Sequence, residues 1–190
     1  MRRSLLILAV CCSTSAFAQS PVVDTAVIDS SASRYQGNMA VNQAAGDQQQ
    51  QANARAFAVG PGASANVQIR QSLNTVADPA RDTRSQINGD AFSHGSGALG
   101  VNQSAGANTQ QANALRISIG SQPQSIDDSV LLQQNVALVN NSESPGSVPG
   151  YRQVTTSDRA FTGSRGVIQV NQSAGVGNRT ANTLSVRVAD

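Results

Sequence analysis

The stretch GVNQSAGANTQQANALRISIG, residues 100–120, holds one arginine, no other charge and no aromatic ring. It offers little that could react, yet the chain contains it three times. MAVNQAAGDQQQQANARAFAVG fills residues 39–60, LGVNQSAGANTQQANALRISIG residues 99–120 and IQVNQSAGVGNRTANTLSVRVA residues 168–189. All three fit V-N-Q-[AS]-A-G-x-x-x-[QR]-[QT]-A-N without a gap, and the opening valines Val41, Val101 and Val170 set offsets of 60 and 69 residues. Self-similarity on this scale is the mark of an architecture built by stacking units.

Each copy reads as strand, turn, strand. Before the turn, alternation puts Met39, Val41 and Gln43 on one face and Ala40, Asn42 and Ala44 on the other; the matching inward sets are Leu99, Val101, Gln103 and Ile168, Val170, Gln172. Gly46, Gly106 and Gly175 supply the residue a tight reversal needs. Beyond it the period of two resumes with Asn113, Leu115, Ile117 and Ile119, and with Asn182, Leu184, Val186 and Val188. Copy one offers Asn53, Arg55, Phe57 and Val59, so Arg55 breaks the pattern. Gln, Ala and Arg are good helix formers, which makes a helix the rival reading of QQQQANARAFAV. The Gly-containing turn and the Val- and Ile-rich tails of the other copies favour strand.

A lone two-stranded unit is marginal in water. Stacking changes this, because every strand gains ladder partners and the small inward faces close on one another. Equivalent amides would then lie at equal heights. Gln43, Gln103 and Gln172 form one expected ladder; Asn53, Asn113 and Asn182 a second; Asn42, Asn102 and Asn171 a third. Such ladders stabilise cross-β stacks, and the low charge of the repeats suits them, since stacked like charges repel. The expected fold is therefore all-β: three strand-turn-strand repeats stacked as a β-solenoid-like or cross-β unit, joined by long, partly disordered linkers.

Composition points the same way. Gln and Asn account for 35 of 190 residues, Trp is absent, and there is no lysine. The chain opens with MRRSLLILAVCCSTSAFAQS, where a basic start, a short apolar run and Ala16-Phe17-Ala18 fit a secretory signal peptide cleaved after Ala18. A lipoprotein reading is disfavoured because bulky Val10 precedes Cys11. Cleavage would remove Cys11 and Cys12, the only cysteines, leaving an exported chain without thiol, disulfide or Cys-based metal site. It would also leave 11 arginines against 11 acids. Near-neutral, and without basic clusters or stacking aromatics, the chain is a poor nucleic-acid binder. The apolar run is too short to anchor in a bilayer, so no stable membrane insertion is expected.

The expected organisation is a signal peptide (1–18), an N-terminal segment (19–38), repeat 1 (39–60), linker 1 (61–98), repeat 2 (99–120), linker 2 (121–167) and repeat 3 (168–190). Within the linkers, Val67–Leu73 and Val130–Val139 resemble each other and are candidate strands, whereas Asn140–Gly150 reads as flexible. Phe92 and Phe161 each precede the repeat valine by the same interval. Catalytic chemistry is nearly absent. His94, the single histidine, sits in a loop-like Ser-His-Gly-Ser, no nucleophile elbow accompanies it, and Asp127-Asp128 lack a calcium-loop pattern. No catalytic, cofactor or metal residue is assigned.

Three imperfect Asn/Gln/Ala-rich repeats, two long linkers and a leader resemble secreted functional-amyloid subunits of Gram-negative bacteria, of the Fap kind and more distantly the curli kind. The resemblance implies export through the periplasm and an outer-membrane machinery, polymerisation with itself or related repeat subunits, and a cell-surface fibre serving adhesion and biofilm. The major Fap subunit type would carry a Cys-x-x-Cys near its C terminus. This chain has none there, which implies a minor or accessory subunit. A folded monomeric adhesin and a periplasmic assistant of the same export system are the alternatives.

Overall fold

The structure, a computed structural model, describes residues 22–73, 75, 80–121 and 150–189. The signal-peptide reading with Cys11 and Cys12, Asp127-Asp128, the candidate strand Val130–Val139 and most of Asn140–Gly150 lie outside them.

The chain winds through three coils, each of three strands. The first holds β1 (Val22–Asp29), β2 (Gln36–Ala45) and β3 (Gln50–Val59); the second β4 (Arg81–Asn88), β5 (Ser96–Ala107) and β6 (Gln110–Gly120); the third β7 (Arg152–Thr156), β8 (Arg165–Val176) and β9 (Arg179–Ala189). Equivalent strands pair in parallel, giving sheet A (β1-β4-β7), sheet B (β2-β5-β8) and sheet C (β3-β6-β9). Repeat residues meet their own counterparts: Val41 faces Val101, which faces Val170, and Asn53 faces Asn113, which faces Asn182. The fold is an all-β parallel stack, and no described residue is helical.

Two features differ from the sequence reading. Each coil has a third strand: β1 falls in the N-terminal segment, β4 in linker 1 and β7 in linker 2. Its signal is weak but physical. Asp24, Ala26 and Ile28 alternate inward in β1, and Thr83, Ser85 and Ile87 in β4. The second difference is Val67–Leu73, which forms no strand. This segment and the residues just before it run across the outer face of sheet C and bond it through side-chain contacts. Ala65 N donates to Ser118 Oγ, Gln71 Nε2 to Gln111 O, and Gln50 Nε2 to Ser72 O.

Sheet B is the middle layer. One face packs on sheet A through Ile28, Ile87, Leu99 and Val101, extended by Met39, Val41, Ile168 and Val170 from the outer coils. The turn between the first two strands of a coil closes one side of this core. Phe92 and Phe161 occupy equivalent places there and stack with ring centroids 5.3 Å apart and planes 12° apart. The other face of sheet B packs on sheet C through asparagines. Because both faces of β5 are covered, it is buried without a break from Leu99 to Ala107. A strand buried on both sides belongs to a parallel sheet with layers on each face.

Candidate assembly surface

Between sheets B and C, two asparagine columns interlock. Within a coil, Nδ2 of Asn53, Asn113 and Asn182 donates to Oδ1 of Asn42, Asn102 and Asn171 at 2.7, 3.0 and 3.0 Å. From coil to coil, Asn102 donates to Asn42 and Asn171 to Asn102, at 3.0 and 2.9 Å. Asn113 likewise donates to Asn53 and Asn182 to Asn113, at 3.0 and 3.1 Å. The amides also hold backbone: Asn102 and Asn171 reach the carbonyls of Ala52 and Ala112 in sheet C, while Asn113 and Asn182 reach those of Val101 and Val170 in sheet B. At a buried interface of this kind an amide left unpartnered would cost more than its bonds return.

The glutamine column lies on the opposite face of sheet B. Gln103 Nε2 donates to Gln43 Oε1 at 2.8 Å, and Gln172 Nε2 to Gln103 Oε1 at 2.9 Å. These side chains also tie sheet A to sheet B. Gln43 donates to Val27 O, Gln103 to Gln86 O and Gln172 to Ser85 O, while Ser85 Oγ donates to Gln103 Oε1. Val41, Val101 and Val170 share that face beside the apolar core.

Gly46, Gly106 and Gly175 stack at the end of sheet B with φ of 99°, 126° and 122°. Gly46 directly follows β2, and Gly106 and Gly175 are the penultimate residues of β5 and β8. The bend itself falls two residues later, at Gln48, Asn108 and Gly177, which also have positive φ. A β-carbon on Gly106 would lie 1.9 Å from Gly175 O, and one on Gly46 would lie 2.0 Å from Gly106 O. Only glycine lets these backbones approach so closely.

Several contributors escaped the sequence reading. Gln111 Nε2 donates to Gln103 O and to Ser173 Oγ, and Gln51 Nε2 to Gln43 O and Ser104 Oγ, adding rungs beside the asparagines. The Q-[QT]-A-N part of the repeat was the available signal. Arg81 of the second coil reaches back to the first, bonding Asp24 Oδ2 at 2.7 Å and Asp47 Oδ2 at 3.0 Å. Nothing in the repeats announces that contact. Arg55, where the alternation breaks, turns its Nη2 to Met39 O at 2.5 Å, and burial pushes its pKa down. Gly100 leaves room for it: a β-carbon there would come within 2.9 Å of Arg55 Nη2. His94 is exposed in the turn before β5. Among the described residues, no three His, Cys, Asp or Glu side chains cluster as a metal site would require.

Among the described residues, nothing caps the stack at either end. Asn42 is exposed in the first coil, its counterpart Asn102 is fully buried, and β7 is largely exposed in the third coil. In the third coil the ladder asparagine Asn171 is itself only 5 % exposed. A model of the functional amyloid protein FapB/FapC family matches residues 10–189. The chain belongs to that family. No solved structure matches the chain. Membership makes it a component of functional amyloid.

Proposed function

We propose that the chain is a minor, nucleating subunit of an extracellular functional-amyloid fibre, exported through the periplasm and supporting adhesion and a biofilm matrix. One observation carries this reading: a single chain folds three in-register coils, and no described residue covers either end coil. A parallel edge without a cap is a template for further strands. A chain that presents three finished coils spares an incoming subunit the costly first pairing, which is what a nucleator supplies.

The test is seeding. Mature protein at substoichiometric amounts should shorten the lag of a related family subunit and, at higher concentration, form fibres with a 4.7–4.8 Å reflection. A stable monomer that leaves the lag unchanged would sink the proposal and favour a folded adhesin. Deleting Ile168–Ala189 should weaken both effects, because it removes two of the three strands in one end coil.

A further inference from the structure

The two open ends are chemically different. The asparagine columns and the Gln43–Gln103–Gln172 column donate from the later coil to the earlier one, Asn102 to Asn42, Asn171 to Asn102, Gln103 to Gln43 and Gln172 to Gln103, whereas the side rung from Gln51 to Gln111 runs the other way. The first coil therefore ends in amide N–H groups facing outward, and the third in amide oxygens. Charge divides the same way. The described part of the third coil carries Arg152, Arg159, Arg165, Arg179 and Arg187 against Asp158 alone. The first coil carries Asp24, Asp29 and Asp47 against Arg34 and Arg55.

One column makes the difference specific. Asp24 pairs in register with Thr83, and Thr83 with Arg152, so an aspartate tops the column at one end and an arginine closes it at the other. Both side chains lean on the same glycine column. A β-carbon at Gly46 would come within 2.8 Å of Asp24 Oδ2, and one at Gly175 within 3.0 Å of Arg152 Cδ. Continuing the stack by one coil spacing of about 4.8 Å places the guanidinium of Arg152 against the carboxylate of Asp24 of the next molecule. Within the chain Asp24 already accepts a guanidinium from a neighbouring coil, that of Arg81, which reaches it from the register position of Val22.

Resting on the fibre reading above, we infer that copies of this chain join in one orientation only: third coil to first coil, through an Arg152–Asp24 ion pair flanked by the asparagine and glutamine columns. Two first coils face to face would oppose donors with donors and Asp24 with Asp24; two third coils would oppose acceptors and arginines. Such a heterologous joint does not close on itself and propagates as a filament. Charge complementarity fixes partner and register more than it adds affinity.

The experiment follows seeded elongation of the mature protein. The Arg152 side chain makes no hydrogen bond or ion pair with the described residues, so Arg152→Asp should leave the monomer's circular dichroism and melting unchanged. Its elongation should fall about 10- to 100-fold, and one variant added per several wild-type chains should terminate growth, because its intact first coil still docks and then exposes a dead end. Arg152→Lys should keep most of the rate, and raising salt from low to molar should slow wild-type elongation. If the folded Arg152→Asp protein elongates at the wild-type rate and salt has no effect, the oriented joint is wrong while the fibre reading stands. If the wild-type protein does not elongate from its own seeds, the fibre reading fails and the joint with it.

Discussion

Asn113 sits at the centre of the asparagine columns. It donates to Asn53, Asn102 and Val101 O, and accepts from Asn171 and Asn182. Its replacement by alanine orphans partners at a site only 2 % exposed, and should cost about 2–4 kcal/mol of unfolding free energy in urea. Asn53→Ala, at the half-open end of the same column, should cost only ~1 kcal/mol. Equal losses would show that position in the stack is irrelevant. Gly106 is constrained by backbone rather than by bonding. With φ of 126° and Gly175 O where a β-carbon would stand, Gly106→Ala should destabilise by at least about 2 kcal/mol. A wild-type midpoint in the same urea titration would contradict the close approach.

At the scale of elements, what could be read from the sequence divides cleanly. Sheets B and C were legible because their columns demand the same residue in every coil: an amide ladder works only when Asn lies over Asn, and a close backbone contact only when Gly lies over Gly. Sheet A has no such demand. Its columns run Asp24–Thr83–Arg152 and Ala26–Ser85–Val154, and one apolar side chain per strand, as at Ile28 and Ile87, suffices to seat it. Divergent residues therefore hid a repeated strand. The Arg81–Asp24–Asp47 bridge was hidden for the same reason, since its members come from one coil boundary and recur nowhere.

The turn between β1 and β2 adds a pH-dependent contact. Tyr35 is 8 % exposed and burial raises its hydroxyl pKa above the ordinary value, which is about 10. Its folded-state pKa lies above the unfolded one, so its contribution is fully present below about pH 10 and is lost as pH rises through the folded value. Tyr35→Phe should reduce the alkaline fall in stability, followed by circular dichroism from pH 9 to 12, and change little at neutral pH. An unaltered alkaline limb would show that the ring ionises without cost.

The whole molecule is a gradient of protection. The middle coil is closed above and below, whereas among the described residues the first and third each have a neighbouring coil on one side only. Amide hydrogen exchange on the monomer should be slowest in β5 and β6 and faster in β1–β3 and β7–β9, because end coils open locally without unfolding the rest. In the fibre the contrast should vanish, as end coils become interior ones. Persistence of the monomer pattern after polymerisation would mean that the chains associate through some other surface.

Three nearly interchangeable coils pose a threading hazard, since a strand could settle one storey out of place with most of its amides still satisfied. The ring of Tyr35 guards against this. It lies where a β-carbon at residue 95 would come within 1.8 Å of it, a space left vacant because residue 95 is glycine; the third coil has Ser164 at the corresponding height. Ser164 Oγ is already committed, accepting from Gly95 N and donating to Phe92 O. Were the third coil to take the second's place above the first within one chain, the phenol would be driven into that serine, whereas a neighbouring molecule would meet the first coil on its opposite face. The tyrosine thus acts as an indexing pin, fitting one slot in the pile and telling otherwise similar layers apart.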